Sequence, residues 1–387
     1  IRSDLGLAFI ELTNGEVEMS RIKALTAGLA AAGCLIAVAG CSSVSNSVDQ
    51  SSAGSPKTFS NVAYVGWPND WVSSMGNYTL TGSGTSKDNK PFFDTVVLFA
   101  SNIVSSTNPP TTNTPALNIL NSDLGETNPK GSAPDISWIT GAVNSLHAQG
   151  VSVQLAILPN GGQQNGWSCS STNATGAQTF AEQVANAVTT YGFDGISIDD
   201  EYASCSGSIT GLQTMVNAIQ AQPAMKNKVI TESVYYPMAY QFPTIAPSLA
   251  QVYTEDYNGT SDIDSLSQYP GVAASNFFVG ISPYDPTFDV TQTNQSHCGI
   301  NEAATANAVG KQLASSTKTF GGAMVFSPVQ QLNGTAGQAA YYTQLAQGEY
   351  GSGATVTYPS SAPQPPAFAN PCSTLNPANV TPAKPKK

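Results

Sequence analysis

The sequence is poor in charged residues. Only 10% of its 387 residues are Asp, Glu, Lys or Arg, whereas an average soluble domain contains about 25%. Basic residues are the scarcer kind, with 14 Lys and Arg against 25 Asp and Glu and a formal net charge of −11. Because binding to phosphates needs a basic surface, this balance excludes nucleic acid as a partner. A neutral ligand such as a sugar fits the composition better.

Histidine and closely spaced cysteine are also lacking. The chain has two histidines, His147 in a predicted helix and His297 in a predicted loop, and they fit no catalytic triad. None of the six cysteines belongs to a Cys-x-x-Cys pair, a spacing typical of zinc ligands. The sequence therefore predicts no metal site.

The N-terminal region has the pattern of an export signal. Residues 1–18 lack an initiator Met, and we interpret them as a non-native upstream extension. The basic segment Met19-Ser-Arg-Ile-Lys23 precedes an apolar stretch, residues 24–38, which is typical of a signal peptide rather than of a membrane span. That stretch ends in Val38-Ala-Gly-Cys41, which resembles the bacterial lipobox.

Cys41 is therefore the predicted lipidated first residue of the mature protein. Residues 19–40 form the predicted signal peptide, and the Ser-rich residues 41–58 form a flexible tether. Ser42 stands where an Asp would favour inner-membrane retention. We expect an exported bacterial lipoprotein of the outer membrane that touches the membrane only through its lipid. A simple secretory signal with a coincidental cysteine is the alternative.

Near the middle of the chain, a strand-like run ends in three acidic residues. In Tyr191-Gly-Phe-Asp-Gly-Ile-Ser-Ile-Asp-Asp-Glu-Tyr202, the two isoleucines and their spacing predict a buried strand. A strand rises about 3.3 Å per residue and its side chains alternate between faces, so Ser197, Asp199 and Glu201 share one face. Asp200 points to the other face. Two carboxyl groups about 6.5 Å apart on one face suit glycoside hydrolysis, in which an acid protonates the leaving oxygen.

The same residues resemble a known family. The run from Asp194 to Glu201, Asp-Gly-Ile-Ser-Ile-Asp-Asp-Glu, is similar to the Asp-Gly-x-Asp-x-Asp-x-Glu signature of glycoside hydrolase family 18, the chitinase superfamily. The likeness is greatest to its endo-β-N-acetylglucosaminidases of the endoglycosidase H type, and it extends from about residue 61 to about residue 350. Further segments match in order and rough spacing: Asn61-Val-Ala-Tyr-Val65, Asn77-Tyr-Thr-Leu80, Phe93-Asp-Thr-Val-Val-Leu-Phe-Ala-Ser-Asn-Ile103 and Asp199-Asp-Glu-Tyr-Ala203.

The resemblance implies an α/β fold, a TIM-type (β/α)8 barrel in a single domain, residues 59–350. The alternation of strand-like and helix-like runs agrees with it. Predicted strands are 62–66, 95–101, 151–158, 195–199, 229–235, 251–254, 277–281 and 323–326, and predicted helices are 136–149, 179–191, 211–221 and 303–315. The connection 102–134 is expected to be a loop without secondary structure, either shaping the cleft or a surface insertion. Residues 351–387 are expected to be a Pro-rich tail.

The family signature implies roles for the residues that match it. Members of this kind use no protein nucleophile, because the substrate's own 2-acetamido oxygen attacks the anomeric carbon and gives an oxazolinium ion. The resemblance implies that Glu201 is the general acid and then the base, and that Asp199 orients the acetamide N–H and stabilises the cationic ring. Tyr257 lies where a tyrosine that donates to the acetamide carbonyl is expected. No cofactor is needed.

The chain departs from the signature at Ser197. The family usually has a third Asp there, which shares a proton with the Asp two positions on. Without it, Asp199 has one fewer like charge nearby, so its acidity, and with it the activity or the pH optimum, is expected to change. Because the acid and the acetamide anchor are both retained, we interpret the chain as a tuned enzyme, with a decayed one as the alternative.

Several side chains near predicted strand ends are candidates for sugar binding, because sugar faces stack on aromatic rings. Each ring is also open to interpretation as core packing, since aromatics dominate core burial. The predicted substrate-binding residues are Ser197, Tyr64, Trp67, Phe99, Asn102, Trp167, Tyr202 and Tyr235.

Four cysteines lie outside the export signal. An even number in an exported chain predicts disulfide bonds. Cys169 and Cys205 follow the third and fourth strands of the implied barrel and so lie on the same rim, which predicts a Cys169–Cys205 bond. Cys298 and Cys372 are left to tie the C-terminal tail to the barrel.

Three functions are compatible with these features. The first is an endo-β-N-acetylglucosaminidase that hydrolyses the β-1,4 bond in the N,N′-diacetylchitobiose core of N-linked glycans with net retention. The second is a chitinase or another N-acetylglucosaminidase with the same chemistry. The third is a surface lipoprotein that binds glycans containing N-acetylglucosamine without cleaving them. The endoglycosidase-like segments favour the first over the second, and the retained Glu201 favours both over the third. We expect a monomer.

Overall fold

A computed structural model gives the architecture of the chain. It describes residues 57–66, 69–105, 115–122, 124, 134–159, 166–169, 172–201, 207–235, 242–255, 261–283, 300–326 and 334–363. The strands in these residues are β1 (Asn61–Gly66), β2 (Thr79–Thr81), β3 (Lys90–Pro91), β4 (Phe93–Ser105), β5 (Pro115–Asn118), β6 (Ser152–Pro159), β7 (Gly195–Asp199), β8 (Val229–Val234), β9 (Gln251–Thr254), β10 (Phe277–Ile281), β11 (Gly322–Phe326) and β12 (Thr355–Thr357).

The helices surround these strands. They are α1 (Trp138–Ala148), α2 (Ala174–Tyr191), α3 (Ile209–Gln220), α4 (Phe242–Ile245), α5 (Ser261–Asp264), α6 (Ile300–Ser315) and α7 (Gly334–Tyr350). Short 3-10 helices cover Asn69–Asn77, Pro223–Met225, Ala246–Ser248, Ser265–Gln268 and Ala274–Asn276. Within the described part of the chain, none of the helices has the length and apolar character needed to cross a membrane.

Eight of the strands form a closed parallel barrel. Strands β1, β4, β6, β7, β8, β9, β10 and β11 pair in that order, and β11 pairs back with β1. Strand β5 adds to the wall by pairing antiparallel with β4, and β2 joins β3 and β12 in a separate antiparallel sheet. The fold is thus the predicted (β/α)8 barrel, an architecture that places catalytic groups at the C-terminal ends of its strands.

All eight barrel strands coincide with predicted strands, and β7, β9 and β10 have the predicted bounds. The four predicted helices are found as α1, α2, α3 and α6, with ends that differ by at most five residues. Short runs of apolar and β-branched residues were a sufficient signal here, because barrel strands that are largely buried on both faces are rich in such residues.

Two parts of the chain differ from expectation. The connection 102–134 is not wholly a loop, because β4 continues to Ser105 and pairs with β5. The fold also continues past residue 350, where we expected the tail to begin: β12 pairs with β2, and Val356 is buried. The Tyr358 ring lies 4.9 Å from that of Tyr78. A three-residue strand carries too little periodicity to be recognised in a sequence.

Alternating side chains divide the buried apolar residues into two layers. Inside the barrel lies a small cluster that comprises Val62, Tyr64, Val97, Ala100, Ala156, Leu158, Tyr253, Phe278 and Met324. The larger cluster lies between the strands and the helices, and it includes Ile196 and Ile198 of β7. The inner face of β7 therefore points into the barrel, and its outer face packs in the helical layer.

The local backbone geometry explains the first two residues of the central motif, Asp194 and Gly195, which lie at the N-terminal end of β7. A Cβ atom on Gly195 would be 2.2 Å from the carbonyl oxygen of Val229, so only glycine permits this approach of β8. The Asp194 carboxylate accepts a hydrogen bond from the Val153 N–H at 2.8 Å and contacts His147 Nε2 at 2.8 Å. Asp194 thus has a structural role.

Candidate active site

Strand β7 delivers two polar side chains to the barrel interior. Ser197 and Asp199 alternate with Ile196 and Ile198, and both are buried, with 0% and 2% of their surface exposed. Asp200 follows on the opposite face, where its carboxylate accepts a hydrogen bond from the Ser168 N–H at 3.4 Å. This confirms the alternation predicted from the sequence.

Three carboxylates meet at the C-terminal ends of β7 and β9. Asp199 ends β7, Glu201 lies two residues beyond it, and Glu255 directly follows β9. One oxygen of each lies within 4.8 Å of one oxygen of each of the other two. Asp199 and Glu255 are buried, whereas Glu201 is half-buried and open to solvent. Proximity of carboxylates is not evidence for a metal, because groups that share a proton approach equally closely, and we assign no metal to them.

Burial and like charge make Asp199 a weak acid. Its burial raises the pKa of its carboxyl group well above the ordinary value, and the neighbouring carboxylates of Glu255 and then Glu201 raise it further. The backbone N–H of Glu201, which donates to this carboxyl group, opposes the shift. The other oxygen, Oδ1, has no hydrogen-bond partner among the described residues. Burial and the neighbouring carboxylates thus favour the protonated form of Asp199, and its Oδ1 is left for a ligand to bind.

The floor beneath the carboxylates is formed by Tyr64 and Ser197. The Tyr64 hydroxyl lies beside that of Ser197, but in the described part of the chain neither makes a hydrogen bond of good geometry. Burial raises the pKa of Tyr64 well above its ordinary value, and the charges of Asp199 and Glu255 raise it further. Tyr64 is 1% exposed, so it underlies the site rather than offering a face to a sugar.

Below this floor, polar side chains are paired with each other. The Thr231 hydroxyl donates to Gln154 Oε1 at 2.7 Å, and the Tyr253 hydroxyl donates to Gln251 Oε1 at 2.6 Å. The Tyr253 ring packs edge-on against Tyr64, with centroids 6.3 Å apart. These pairs satisfy buried polar groups and so hold the base of the site in one arrangement.

The other described candidates for sugar binding differ in how far their side chains are exposed. Phe99 is partly exposed between Tyr64 and Phe326, with ring centroids 5.7 Å from each. The amide of Asn102 is buried and donates to the Leu158 carbonyl oxygen at 3.4 Å. Tyr235 directly follows β8 and is 48% exposed, as a sugar platform requires.

The expectation for Trp167 was wrong. Its side chain is fully buried, its Nε1–H donates to the Ile157 carbonyl oxygen at 2.7 Å, and its ring packs edge-on against Phe180 of α2. It is therefore a core residue of the helical layer. A position after a strand end does not determine whether the chain turns a ring toward the cleft or toward the helices.

The remaining predicted residues lie outside the described residues: Tyr257, Trp67, Tyr202, Cys41, Cys205, Cys298 and Cys372. Cys169 is disulfide-bonded, and an antiparallel bridge joins it to Gly207, near the predicted partner Cys205. The pairings Cys169–Cys205 and Cys298–Cys372 stay predictions.

Sequence reasoning missed Glu255 as a member of the site. In this part of the chain, the family resemblance indicates only Tyr257. The available signal was an acidic residue directly after a buried strand, on the same face as Tyr253.

Comparison with known proteins gives two kinds of relatives. No protein-family model matches the chain. The chain is 27% identical over 288 residues to endo-beta-N-acetylglucosaminidase F1 of Elizabethkingia meningoseptica, covering 71% of this chain and 73% of that protein. It is 28% identical over 142 residues to an endo-beta-N-acetylglucosaminidase of Flavobacterium sp. (strain SK1022), covering 37% of this chain and 38% of that protein.

Solved structures share the fold. EndoBT-3987 of Bacteroides thetaiotaomicron, in complex with Man9GlcNAc2Asn substrate, aligns with a TM-score of 0.50 and 16% identity over 79% of this chain and 68% of its own. A chitinase from the same organism aligns with a TM-score of 0.52 and 11% identity over 77% of this chain and 98% of its own. At 16% and 11% identity, these alignments show that the chain shares the barrel fold and nothing further.

Proposed function

We propose that this chain, a glycoside hydrolase of the family-18 endo-β-N-acetylglucosaminidase type, hydrolyses the β-1,4 bond between the two N-acetylglucosamines at the core of N-linked glycans, with retention at the anomeric carbon. The observation that carries the proposal is the adjacent Asp199 and Glu201 carboxylates at the end of β7, one buried and one open to solvent. The names of the two endo-β-N-acetylglucosaminidase relatives support this substrate.

In the first step, the acetamide of the sugar is the nucleophile. Its oxygen forms a bond to the anomeric carbon while the bond from that carbon to the leaving oxygen breaks, and the Glu201 carboxyl group gives its proton to the leaving oxygen. The product is an oxazolinium ion. In the second step, the Glu201 carboxylate takes a proton from water, the water oxygen bonds to the anomeric carbon, and the oxazolinium ring opens.

The state of Asp199 favours this scheme over a protein nucleophile. Burial and two neighbouring carboxylates favour the protonated form of Asp199, and a protonated carboxyl group is a poor nucleophile. As positive charge develops on the acetamide nitrogen, an ionised Asp199 becomes favourable, since opposite charges stabilise each other strongly at a buried site. Asp199 thus stabilises the transition state more than it stabilises the bound substrate.

The spacing favours retention. Inverting enzymes leave about 6.5 to 9.5 Å between their carboxyl groups for the attacking water. Oxygens of Asp199 and Glu201 approach within 4.8 Å, which is closer than the separation typical of an inverting pair. Asp199 and Glu201 lie on the same side of the site, so an acetamide that enters from the solvent and contacts Asp199 also lies beside Glu201.

The test is cleavage of a denatured high-mannose glycoprotein by the purified protein, followed by the mass of the glycoprotein. We expect loss of the glycan with a single N-acetylglucosamine left on Asn. Glu201→Gln should lower the rate by about 10²- to 10⁴-fold, the usual contribution of a general acid. The matched control is Glu182→Gln on the exposed face of α2, which should leave the rate unchanged.

Two other outcomes would redirect the proposal. Cleavage of chitin oligosaccharides but not of the glycoprotein would make the substrate chitin-like. Binding of the glycan without cleavage of either substrate would indicate a glycan-binding protein. No cofactor enters the reaction scheme.

We also propose that the protein is an outer-membrane lipoprotein attached only through lipid on Cys41. The support is the basic segment, the apolar stretch and the lipobox-like ending in residues 19–41.

A further inference from the structure

Ser197 precedes Asp199 on the inner face of β7, and its neutral hydroxyl cannot act as an acidic partner of Asp199. Ser197 is fully buried, and its hydroxyl lies beside the Tyr64 hydroxyl without a hydrogen-bond partner among the described residues. A hydroxyl has one proton and no negative charge, unlike a carboxylate. Strand β7 therefore supplies Asp199 with no acidic neighbour below it.

An acidic neighbour is nevertheless present on another strand. Glu255 follows β9, which is separated from β7 by one strand, and its carboxylate oxygen lies within 4.8 Å of those of Asp199 and Glu201. Glu255 is 6% exposed and Asp199 is 2% exposed. Two buried carboxyl groups this close raise each other's pKa, and a small side-chain movement that brings their oxygens within hydrogen-bond distance lets them share one proton.

We propose that Glu255 shares one proton with Asp199 and thereby positions Asp199 for catalysis, supplying from β9 the acidic partner that position 197 of β7 lacks. The catalytic part of this inference rests on the proposed function. The sharing of a proton is a property of the free protein and is measurable without a substrate.

The proton moves between the two carboxyl groups during the reaction. In the free protein, the Asp199 and Glu255 pair holds one proton and one negative charge. When positive charge develops on the acetamide nitrogen, the O–H bond to Asp199 breaks, an O–H bond to Glu255 forms, and the negative charge of the pair passes from Glu255 to Asp199. No proton enters or leaves the protein in this step, and the proton that the leaving oxygen receives is not the shared one.

The surroundings of the pair agree with a shared proton. In the described residues, the ionisable groups that face Asp199 are Glu255 after β9, Glu201 and Asp200 at the end of β7, and Tyr64 on β1. None of these groups can carry a positive charge. After burial, Glu255 contributes most to the raised pKa of Asp199, more than Glu201 does.

The first measurement is a carboxyl-carbon NMR titration of the full chain labelled in Asp and Glu, with Asp199→Asn and Glu255→Gln to assign the two resonances. In the wild type, we expect the two groups to titrate together in two steps, as coupled acids do. In Glu255→Gln, the midpoint of Asp199 should fall by more than one pH unit. Independent single steps in the wild type, or an unmoved Asp199 midpoint in the variant, would overturn the proposal. If Glu255→Gln does not fold, assignment by Asp199→Asn and the wild-type titration decide.

The second measurement is the pH profile of kcat and KM on whichever glycan the wild type cleaves. Glu255→Gln should lower kcat by about tenfold to a hundredfold with little change in KM, and move the acidic limb to lower pH. Ser197→Asp in the Glu255→Gln background returns a carboxyl group to the side of Asp199 and should recover at least about tenfold in kcat. An unchanged kcat and pH profile, or a double variant no better than the single one, would refute the positioning role. If the wild type cleaves nothing, the proposed function fails, while the titration still decides whether the proton is shared.

Discussion

Asp200 and Glu232 lie together on the outer face of β7 and β8, the face opposite to the one that carries Asp199. Glu232 pairs in register with Ile198. Glu232 is buried in the layer between the barrel and the helices, and Asp200 is half-buried. Burial and then the charge of Asp200 raise the pKa of Glu232 to about 8, and burial raises that of Asp200 to about 6. Each has one oxygen without a hydrogen-bond partner among the described residues. The barrel thus carries acidic pairs on both faces of the same wall.

This outer pair predicts stability that falls as the pH rises. The pKa of Glu232 rises from 4.5 to about 8 on folding, so in that window the folded state binds more protons than the unfolded state. Stability is therefore full below about pH 4.5 and is lost progressively up to about pH 8. Since one pKa unit corresponds to about 1.4 kcal/mol, the loss is on the order of a few kcal/mol.

Glu232→Gln should remove most of this pH dependence and raise the free energy of unfolding at pH 8. Urea unfolding at a series of pH values measures both effects. Glu182→Gln, on the exposed face of α2, is the control and should leave the slope unchanged. A Glu232→Gln slope equal to that of the wild type would show that Glu232 is ionised in the folded protein throughout this range.

The sequence predicted the chemistry of β7 better than that of the whole site. Alternation along one strand determines which side chains share a face, so the positions of Ser197, Asp199 and Asp200 followed from spacing alone. Glu255 did not follow, because its distance from Asp199 depends on how the barrel closes. Which strand lies beside which, and how far each projects at the rim, are properties of the closed sheet.

Aromatic residues show the same limit. Tyr64, Trp167 and Tyr235 all lie near strand ends, yet one is below the carboxylates, one is in the helical layer and one is exposed. Residue type gives the tendency of a ring to be buried. The direction that the chain takes after the strand decides where the ring is buried, and this direction is not periodic.

Trp167 and Tyr235 therefore make a matched pair of variants. Trp167→Ala removes a fully buried ring and its hydrogen bond to Ile157, so it should lower the free energy of unfolding by about 3 to 5 kcal/mol. Tyr235→Ala removes a ring that is 48% exposed and should change stability by about 0.5 kcal/mol or less. Urea unfolding separates them. Tyr235→Ala should instead raise KM for the glycan, and an unchanged KM would show that the ring is outside the sugar path.

The export signal predicts lipid on one cysteine. Cells that express the full chain and are fed radiolabelled palmitate should yield a labelled protein in the membrane fraction. Cys41→Ser should abolish the label, whereas Cys34→Ser, which lies within the apolar stretch, should retain it. Release of unlabelled wild-type protein into the medium would favour a simple secretory signal.

Two substitutions of Tyr64, at the floor of the site, separate the contribution of its ring to stability from that of its hydroxyl. Its ring contacts Phe99, Phe326 and Tyr253, so Tyr64→Ala should lower the free energy of unfolding by about 3 to 5 kcal/mol, as loss of a buried aromatic ring does. Tyr64→Phe keeps the ring and removes a buried hydroxyl that has no hydrogen-bond partner among the described residues. Because an unsatisfied buried hydroxyl is costly, this variant should be as stable as the wild type or more so. Thermal unfolding of the two variants measures this difference, and a large loss of stability in Tyr64→Phe would mean that the hydroxyl is bonded, with Ser197 as the partner within reach.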